Sequence, residues 1–423
     1  MSEYYLEITF TIFLVLILLC LNKRLWQNFC LIGKQIVVII IHACSKLVPK
    51  SKNLIVFGGE NGKGFRGNTK YIFLEMAKDP RLNCIWITKN PSVVKNLRER
   101  GYKAYMASSK KGILYQLRAK VIVHSHSVND DFIKPLVGGA ISFNAWHGVP
   151  IKKVWAANKN SFSYKIVNLK KGFRKFFGMM FIRTNQAKVN YVVSTSPTFT
   201  AIYPDTFLVS KENILELGQA RNDVFFKETE EDKEIPEWIR NGKIITYMPT
   251  HRNFGKKDKD INSLIDFHRL NELCEKTGYK FLVKRHMYSK GETPKTLSNI
   301  IDISSEPYDP QMILKYTDIL ITDYSSAYAD YLLLDRPVMF FCYDLNEYLS
   351  KSNGLYFNYF DVAPGPRAFT FEQFISGLKE VINNPESYRE DRKRVLDMFY
   401  SKENQKPVTQ KQVDFIYKHL LKM

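Results

Sequence analysis

The sequence predicts an α/β protein built as two parallel-sheet halves facing a crevice. Three observations carry this. From Asn53 onward, short apolar runs alternate with amphipathic helical stretches, the pattern of strands that pair in parallel through helical crossovers. Most of these runs end in small or polar residues. An acidic, poorly apolar segment, KETEEDKEIPEW (227–238), separates them into two sets. The chain length of 423 residues suits two or three domains.

The runs NLIVFGG (53–59), LNCIWIT (82–88), KVIVHS (120–125) and YVVSTS (191–196) read as buried strands of the first half. KIITYMPT (243–250), YKFLVKRH (279–286), DILITDYSS (318–326) and PVMFFCYD (337–344) repeat the theme in the second. In such sheets ligands bind beyond the carboxyl ends of the strands, where the notable polar residues fall. The resulting division is 1–50 for an N-terminal attachment segment, 51–226 for a first α/β domain carrying the basic insertion 152–191, and 227–423 for a second α/β domain with closing helices.

The first fifty residues point to a membrane. Ile8–Leu21 (ITFTIFLVLILLCL) carries no charge, and Lys23 and Arg24 follow at once, whereas Glu3 and Glu7 lie before and at its start. Extended to Leu25, the stretch approaches the roughly 20 residues that span a bilayer. The flanking charges predict a single span with the body on the cytoplasmic face. A cleaved signal peptide would need a basic leading region, which is missing. The second apolar stretch, Ile36–Ala43, is too short for a span and reads as an interfacial helix or a first buried element.

The formal net charge of +20 requires an anionic partner. Half of it sits in 152–191, which holds ten Lys or Arg and no Asp or Glu, with Phe162, Phe173, Phe176, Phe177 and Phe181 interleaved. Basic and aromatic residues together suit nucleic acid or an anionic membrane. The N-terminal segment favours membrane lipid over nucleic acid. The six cysteines (Cys20, Cys30, Cys44, Cys84, Cys274 and Cys342) form no C-x-x-C pair, so reduced thiols are expected. There is no Walker loop and no D-x-D or H-x-x-x-H in a metal context, so no dedicated metal site is expected.

Four runs carry chemistry. In NAWHGVPIKKV (144–154), His147 can accept a proton at cellular pH. Gly148 permits close approach of a phosphate. Val149, Pro150, Ile151 and Lys152 complete the loop, and its lysines can hold negative charge. GQARND (218–223) supplies Arg221 and Asp223, PTHRNF (249–254) His251 and Arg252, and VKRHMY (283–288) Arg285 and His286. Converging guanidinium groups at strand ends suit a diphosphate, whose oxygens they bind bidentately. In ITDYSSAYADY, Ser325 and Ser326 stand where a helix begins and exposes free N–H groups. Asp330, a turn further, could reach a ribose or glycerol hydroxyl. The Gly-rich run ENGKGFRGN (60–68) lacks dinucleotide spacing and reads as an acceptor contact or a turn.

These residues together resemble the CDP-glycerol glycerophosphotransferase family, the teichoic-acid primases and polymerases and their capsule-making relatives. The resemblance rests on WHGVPIKK, GQARND, PTHRN, KRH, ITDYSSAYADYLLLDRPVMFFCYDLNEY and GLYFNYFDVAPGP, in matching order from about Asn53 to Asp391. It implies a GT-B fold and transfer of glycerol phosphate or ribitol phosphate from CDP-glycerol or CDP-ribitol. The acceptor would be a hydroxyl of a lipid-linked glycan or polymer. It also implies that His147 is the base and that Arg221, Arg252, Arg285, His286, Ser325, Ser326 and Asp330 line the donor site. No cofactor is required, although Mg2+ could join the diphosphate. Two positions depart from the family pattern: Ala220 replaces a proline, and Asn353 replaces an arginine before Gly354. The rival readings are a nucleotide-sugar glycosyltransferase on the same fold and a non-enzymatic, membrane-anchored polyanion-binding module.

Overall fold

Apolar runs rich in β-branched residues pair here into two all-parallel sheets, each buried on both faces by helices. The structure, a computed structural model, describes residues 7–9, 11, 23–250, 260–285 and 293–423. The first sheet contains β1 (Ser51–Phe57), β2 (Asn83–Thr88), β3 (Ala104–Met106), β4 (Ala119–His124), β5 (Ile141–Asn144), β6 (Val189–Ser194) and β7 (Ile214–Glu216). Its spatial order is β3-β2-β1-β4-β5-β6-β7. The second contains β8 (Lys243–Tyr247), β9 (Tyr279–Val283), β10 (Ile300–Asp302), β11 (Ile319–Thr322), β12 (Val338–Phe341) and β13 (Arg367–Ala368), ordered β10-β9-β8-β11-β12-β13. Both are Rossmann-like, and each reverses strand order beside its first strand, where such sheets open a ligand crevice.

Each of the eight predicted runs contains a strand. The five strands without a predicted run have only two to four residues, too few to show a period. In β1, Leu54–Phe57 are buried, and β11 is buried throughout. Each fully buried Leu, Ile or Phe contributes roughly 1.5–3 kcal/mol.

The expected boundary 227–423 is corrected at its far end. Val413, Ile416, Leu420 and Leu421 pack among Ile55, Phe57, Val121 and Val123 of the first sheet. The chain crosses back after Tyr400, where the Ser401 N–H donates to Thr195 O at 2.9 Å. Without this return, the apolar face of the first sheet would stand open. The acidic segment 227–238 is also no loose linker. Asp232 accepts from Lys315 Nζ at 2.6 Å, and Lys70 Nζ lies 2.6 Å from Glu231.

The predicted span Ile8–Leu21 lies almost entirely outside the described residues. Among the described residues, no helix is long and apolar enough to cross a membrane. The second apolar stretch belongs to a helix, Lys23–Ser45, that divides its roles. His42 and Ser45 are buried against the first domain, whereas Leu31, Ile32, Val37 and Ile40 are exposed. The anchor is steric and polar: Gly138 N donates to Ser45 Oγ at 3.0 Å. A Cβ on Gly138 would lie 2.7 Å from Ser45 Oγ and 2.8 Å from His42 O. Gly138→Ala should therefore push this helix off its seat, at a cost of about 1–3 kcal/mol. Limited proteolysis should then cut between residues 23 and 50 faster than in the wild type.

The basic insertion 152–191 forms two stacked helices, Phe162–Val167 and Phe173–Arg183. Gly178 lets them close, since a Cβ there would meet Ile166 at 2.7 Å. The second helix touches Lys23–Ser45 and leaves Phe173, Phe176 and Phe177 exposed.

Candidate active site

β5 delivers the histidine loop to the crevice. Asn144, at the strand end, accepts from the Trp146 N–H at 2.9 Å and so begins the turn. Trp146 takes a left-handed φ of 54°, a conformation a bulky residue holds only when its surroundings enforce it. The enforcing group is Asn68, which is fully buried. Its amide donates to Ala145 O at 3.0 Å and Trp146 O at 2.8 Å, and its Oδ1 accepts from the Arg221 N–H at 3.0 Å. The Gly-rich run thus ends in a structural clamp joining the histidine loop to the GQARND loop.

His147 is defined by its hydrogen bond. Its Nδ1 lies 2.8 Å from Ser125 O. A carbonyl only accepts, so Nδ1 carries the hydrogen and Nε2 keeps its lone pair. The ring is held between Trp146 and His126, each with its centroid 4.1 Å away. Burial, followed by His126, holds the His147 pKa down at about 3, with Arg221 adding to the effect. The imidazole is therefore neutral across the physiological range, with Nε2 as its proton-accepting atom.

Gly148 has φ 140°, and a Cβ there would lie 2.7 Å from Arg221 Nη2 and 3.5 Å from Ser326 Oγ. The absent side chain lets the first domain's loop approach the second domain's serines. The following residues seal the junction. Lys152 and Leu355 form an antiparallel bridge, Tyr356 N donates to Ile151 O at 3.0 Å, and Lys153 N donates to Gly354 O at 2.9 Å. Gly354 supplies the left-handed φ of 79° that this bridge needs.

Between the halves is a cavity of about 430 Å³, within the range of small-molecule sites. His147, Gly148, Val149, Pro150, Ile151 and Lys152 line one wall. Thr250, Lys284, Arg285, Tyr324, Ser325 and Ser326 line the other. Val149 and Ile151 are buried and set the height of the loop. Asp323, at the end of β11, shapes the second wall by accepting from the Thr250 N–H at 2.8 Å. Ser325 Oγ accepts from the Ala327 N–H at 3.3 Å, so it acts in part as a helix cap. Arg285 Nη2 lies 3.0 Å from Asp302 Oδ2. Lys284 donates to Ile303 O and Glu306 O at 3.1 and 2.8 Å, and burial lowers its pKa.

Three expected ligand contacts are corrected. Asp330 is 0% exposed. Its carboxylate is saturated by Arg221, Tyr400, Asn222 Nδ2 at 3.0 Å and Gln311 Nε2 at 3.2 Å. It has no lone pair facing the cavity for a hydroxyl. Arg221 lies behind the loop rather than in the cavity lining. It donates to His147 O at 2.8 Å and pairs with Asp330. Burial would lower its pKa, but Asp330 outweighs that effect and holds it above the ordinary value. Asp223 is buried, and its two oxygens accept from Val408 N at 2.8 Å and Thr409 N at 3.0 Å. It fastens the returning C-terminal helix to the first domain. His251, Arg252 and His286 lie outside the described residues.

Asn68, His126, Asp131, Asn222, Gln311 and Tyr400 carried no functional expectation, yet they build the site's support. Asn68 and Asn222 lie inside runs quoted for other residues, and the partners of all six are set by the fold rather than by a local pattern. Among the described residues, no group of three or more His, Cys, Asp or Glu is placed to hold a metal ion.

The profile of the family described as CDP-Glycerol:Poly(glycerophosphate) glycerophosphotransferase matches residues 40–418. A teichoic acid poly(ribitol-phosphate) polymerase of Bacillus spizizenii is 29% identical over 352 residues, 79% of this chain and 52% of that protein. A teichoic acid glycerol-phosphate transferase of Staphylococcus aureus is 26% identical over 386 residues, 88% of this chain and 95% of that protein. The chain thus spans about half the length of some curated relatives and nearly all of others. The solved wall teichoic acid polymerase TagF superposes with a TM-score of 0.73 at 25% identity, covering 94% of this chain and 96% of that one. A variant of that polymerase has been solved after a soak with CDPG.

Proposed function

The chain belongs to the CDP-glycerol:poly(glycerophosphate) glycerophosphotransferase family, and from that premise we propose that it transfers a polyol phosphate from a CDP-polyol to a hydroxyl group. The observation that carries this reading is the neutral His147, its free Nε2 in a cavity whose opposite wall holds Ser325, Ser326 and Arg285. The donor is CDP-glycerol or CDP-ribitol. The acceptor is a hydroxyl of a lipid-linked glycan or of a growing polyol-phosphate polymer of the teichoic-acid type.

In this mechanism the acceptor O–H gives its proton to His147 Nε2. The oxygen forms a bond to the phosphorus that carries the polyol. The bond from that phosphorus to the bridging oxygen breaks, and CMP leaves with the electron pair. Such transfer depends on positioning and charge neutralisation more than on covalent participation. Lys152, Arg285 and the N–H groups behind Ser325 and Ser326 supply positive potential along the diphosphate. Arg221 acts indirectly by fixing the His147 carbonyl. The steps as written need no resident cofactor, and Mg2+ could accompany the diphosphate.

A donor screen tests the reading. The purified chain is given CDP-glycerol, CDP-ribitol and UDP-sugars with a lipid-linked or synthetic acceptor. The expected result is CMP release from a CDP-polyol and inhibition by added CMP. UDP release instead would move the assignment to glycosyl transfer.

The reading places the body at the cytoplasmic face of the cell membrane, with the N-terminal segment crossing once. Its support is the charge asymmetry around Ile8–Leu21 and the exposed apolar residues of two touching helices. Leu31, Ile32, Val37 and Ile40 lie on one, and Phe173, at 78% exposure, and Phe176 lie on the other. Lys170, Lys171, Arg174 and Lys175 surround the phenylalanines, a pairing suited to anionic headgroups. Replacing Phe173 and Phe176 together with serine should weaken binding to phosphatidylglycerol vesicles at least tenfold in a sedimentation assay. Turnover on a soluble acceptor should remain.

A further inference from the structure

The ring beneath His147 has no role in the reaction as written, yet it is held as carefully as the base. His126 lies parallel to His147, with centroids 4.1 Å apart and planes 5° from coincidence. Two contacts fix it directly and a third fixes its neighbour Ser125. Its Nδ1 shares a hydrogen bond with Ser125 Oγ at 2.9 Å. Its backbone N–H donates to Asp131 Oδ2 at 3.0 Å, and the Ser125 N–H donates to the same oxygen at 2.9 Å. Asp131 is fully buried, whereas the His126 side chain keeps 21% of its surface exposed. Asp131 also holds the peptide whose carbonyl, Ser125 O, orients His147. One buried carboxylate thus places both the hydrogen-bond acceptor for the base and the ring against its face.

We propose that His126 is a positioning residue for His147, holding the imidazole flat by stacking and limiting the pair to one proton. This rests on the reading of His147 as the base. Two imidazolium rings at this distance repel each other strongly, so protonating one opposes protonating the other. A neutral His126 presents a π face to the imidazolium formed when His147 takes the acceptor's proton. The charged and titratable groups facing the pair are His124, Asp130, Arg221 and Asp131, whose Oδ1 lies 3.9 Å from His126 Nδ1. Burial, opposed by Asp130 and reinforced by His124, holds the His126 pKa at about 4. Both rings are therefore neutral at the working pH.

The test uses the full chain with labelled histidine and two variants, His126→Phe and His126→Ala. Phenylalanine keeps a stacking face and removes the titrating group, whereas alanine removes both. Histidine NMR across pH should show the His147 midpoint rising by about one unit in His126→Phe. The acid limb of kcat/KM should rise with it. On the neutral plateau, His126→Phe should keep kcat within about threefold and His126→Ala should lose tenfold or more, with KM for the donor unchanged in both. An unmoved His147 midpoint in a folded His126→Phe protein overturns the proposal. So does an equal loss of kcat in the two variants, which would make His126 a structural residue only. The NMR reading needs no turnover, so it separates this proposal from the reading of the overall reaction. If His126→Ala fails to fold, the His126→Phe titration decides alone.

Discussion

Replacing His147 with alanine is expected to lower kcat by about 10³-fold, within the usual range for loss of a general base, and to leave the KM for a CDP-polyol nearly unchanged. The reason is geometric. Nδ1 is committed to Ser125 O, so Nε2 is the ring's proton acceptor. No other described group lining the cavity can replace it. Thr250, Ser325 and Ser326 are weak bases, and Lys152, Lys284 and Arg285 are the remaining ionisable groups in the lining other than Tyr324. A residual rate should persist, because the cationic wall still orients the diphosphate. The pH dependence follows from the lowered pKa. A base held at about 3 in the free protein loses activity only as pH falls toward that value. The profile of kcat/KM should therefore be flat through neutrality, with no inflection near 6.5. Steady-state CMP release between pH 5 and 8 measures both. An inflection near 6.5 that vanishes in His147→Ala would show a base of ordinary basicity and refute the lowered pKa.

Asp330→Ala is expected to destabilise the folded protein by about 3–5 kcal/mol, the usual cost of stranding a buried charge. The carboxylate is the acceptor for Arg221, Tyr400, Asn222 and Gln311. These residues come from the histidine-side domain, the returning C-terminal stretch and the second domain. Removing it leaves a buried guanidinium without its counter-charge, together with several donors without their shared acceptor. Activity should fall as well, because Arg221 also holds His147 O. The double variant Arg221→Met with Asp330→Leu separates the two effects. It should recover only the part of the loss due to the stranded guanidinium, since an apolar pair can replace a buried ion pair while Tyr400, Asn222 and Gln311 still lack their acceptor, and it should not recover the activity. Thermal unfolding followed by circular dichroism should show a Tm fall of roughly 5–10 °C for Asp330→Ala. A single variant as stable as the wild type would mean that this junction carries little of the contact between the domains.

The two sites show how far residue type alone can be read. That His147 lines the crevice could be expected because it follows an apolar strand in a tight Gly-containing loop. Ser325 and Ser326 were legible because a strand-to-helix junction exposes N–H groups wherever it occurs. Arg221, Asp223 and Asp330 were misread for one shared reason. Charged residues at strand ends suit a ligand, but they suit an inter-domain seam equally well, and spacing does not reveal which partner saturates them. Asp330 has its partners 108–109 residues away in sequence at Arg221 and Asn222, beyond any local pattern. His126 was invisible for the opposite reason. Its neighbours are close in sequence, but its significance is an orientation, a ring laid parallel to another that enters from the next strand.

What the sequence determined by itself is the local and periodic part of this protein. Eight apolar runs became strands because uninterrupted Val, Ile, Leu and Phe can be satisfied only between two covered faces. The position of the crevice followed from their carboxyl ends. The basic insertion, the acidic divider and the family's motifs could likewise be read residue by residue. What only the tertiary structure decided is which polar groups face the cavity and which are used to hold it. The return of 401–421 to the first sheet, the Asn68 clamp and the Arg221–Asp330 junction all join segments remote in sequence. A buried polar group must find a partner wherever the fold brings one, and that choice is made by packing across the whole chain.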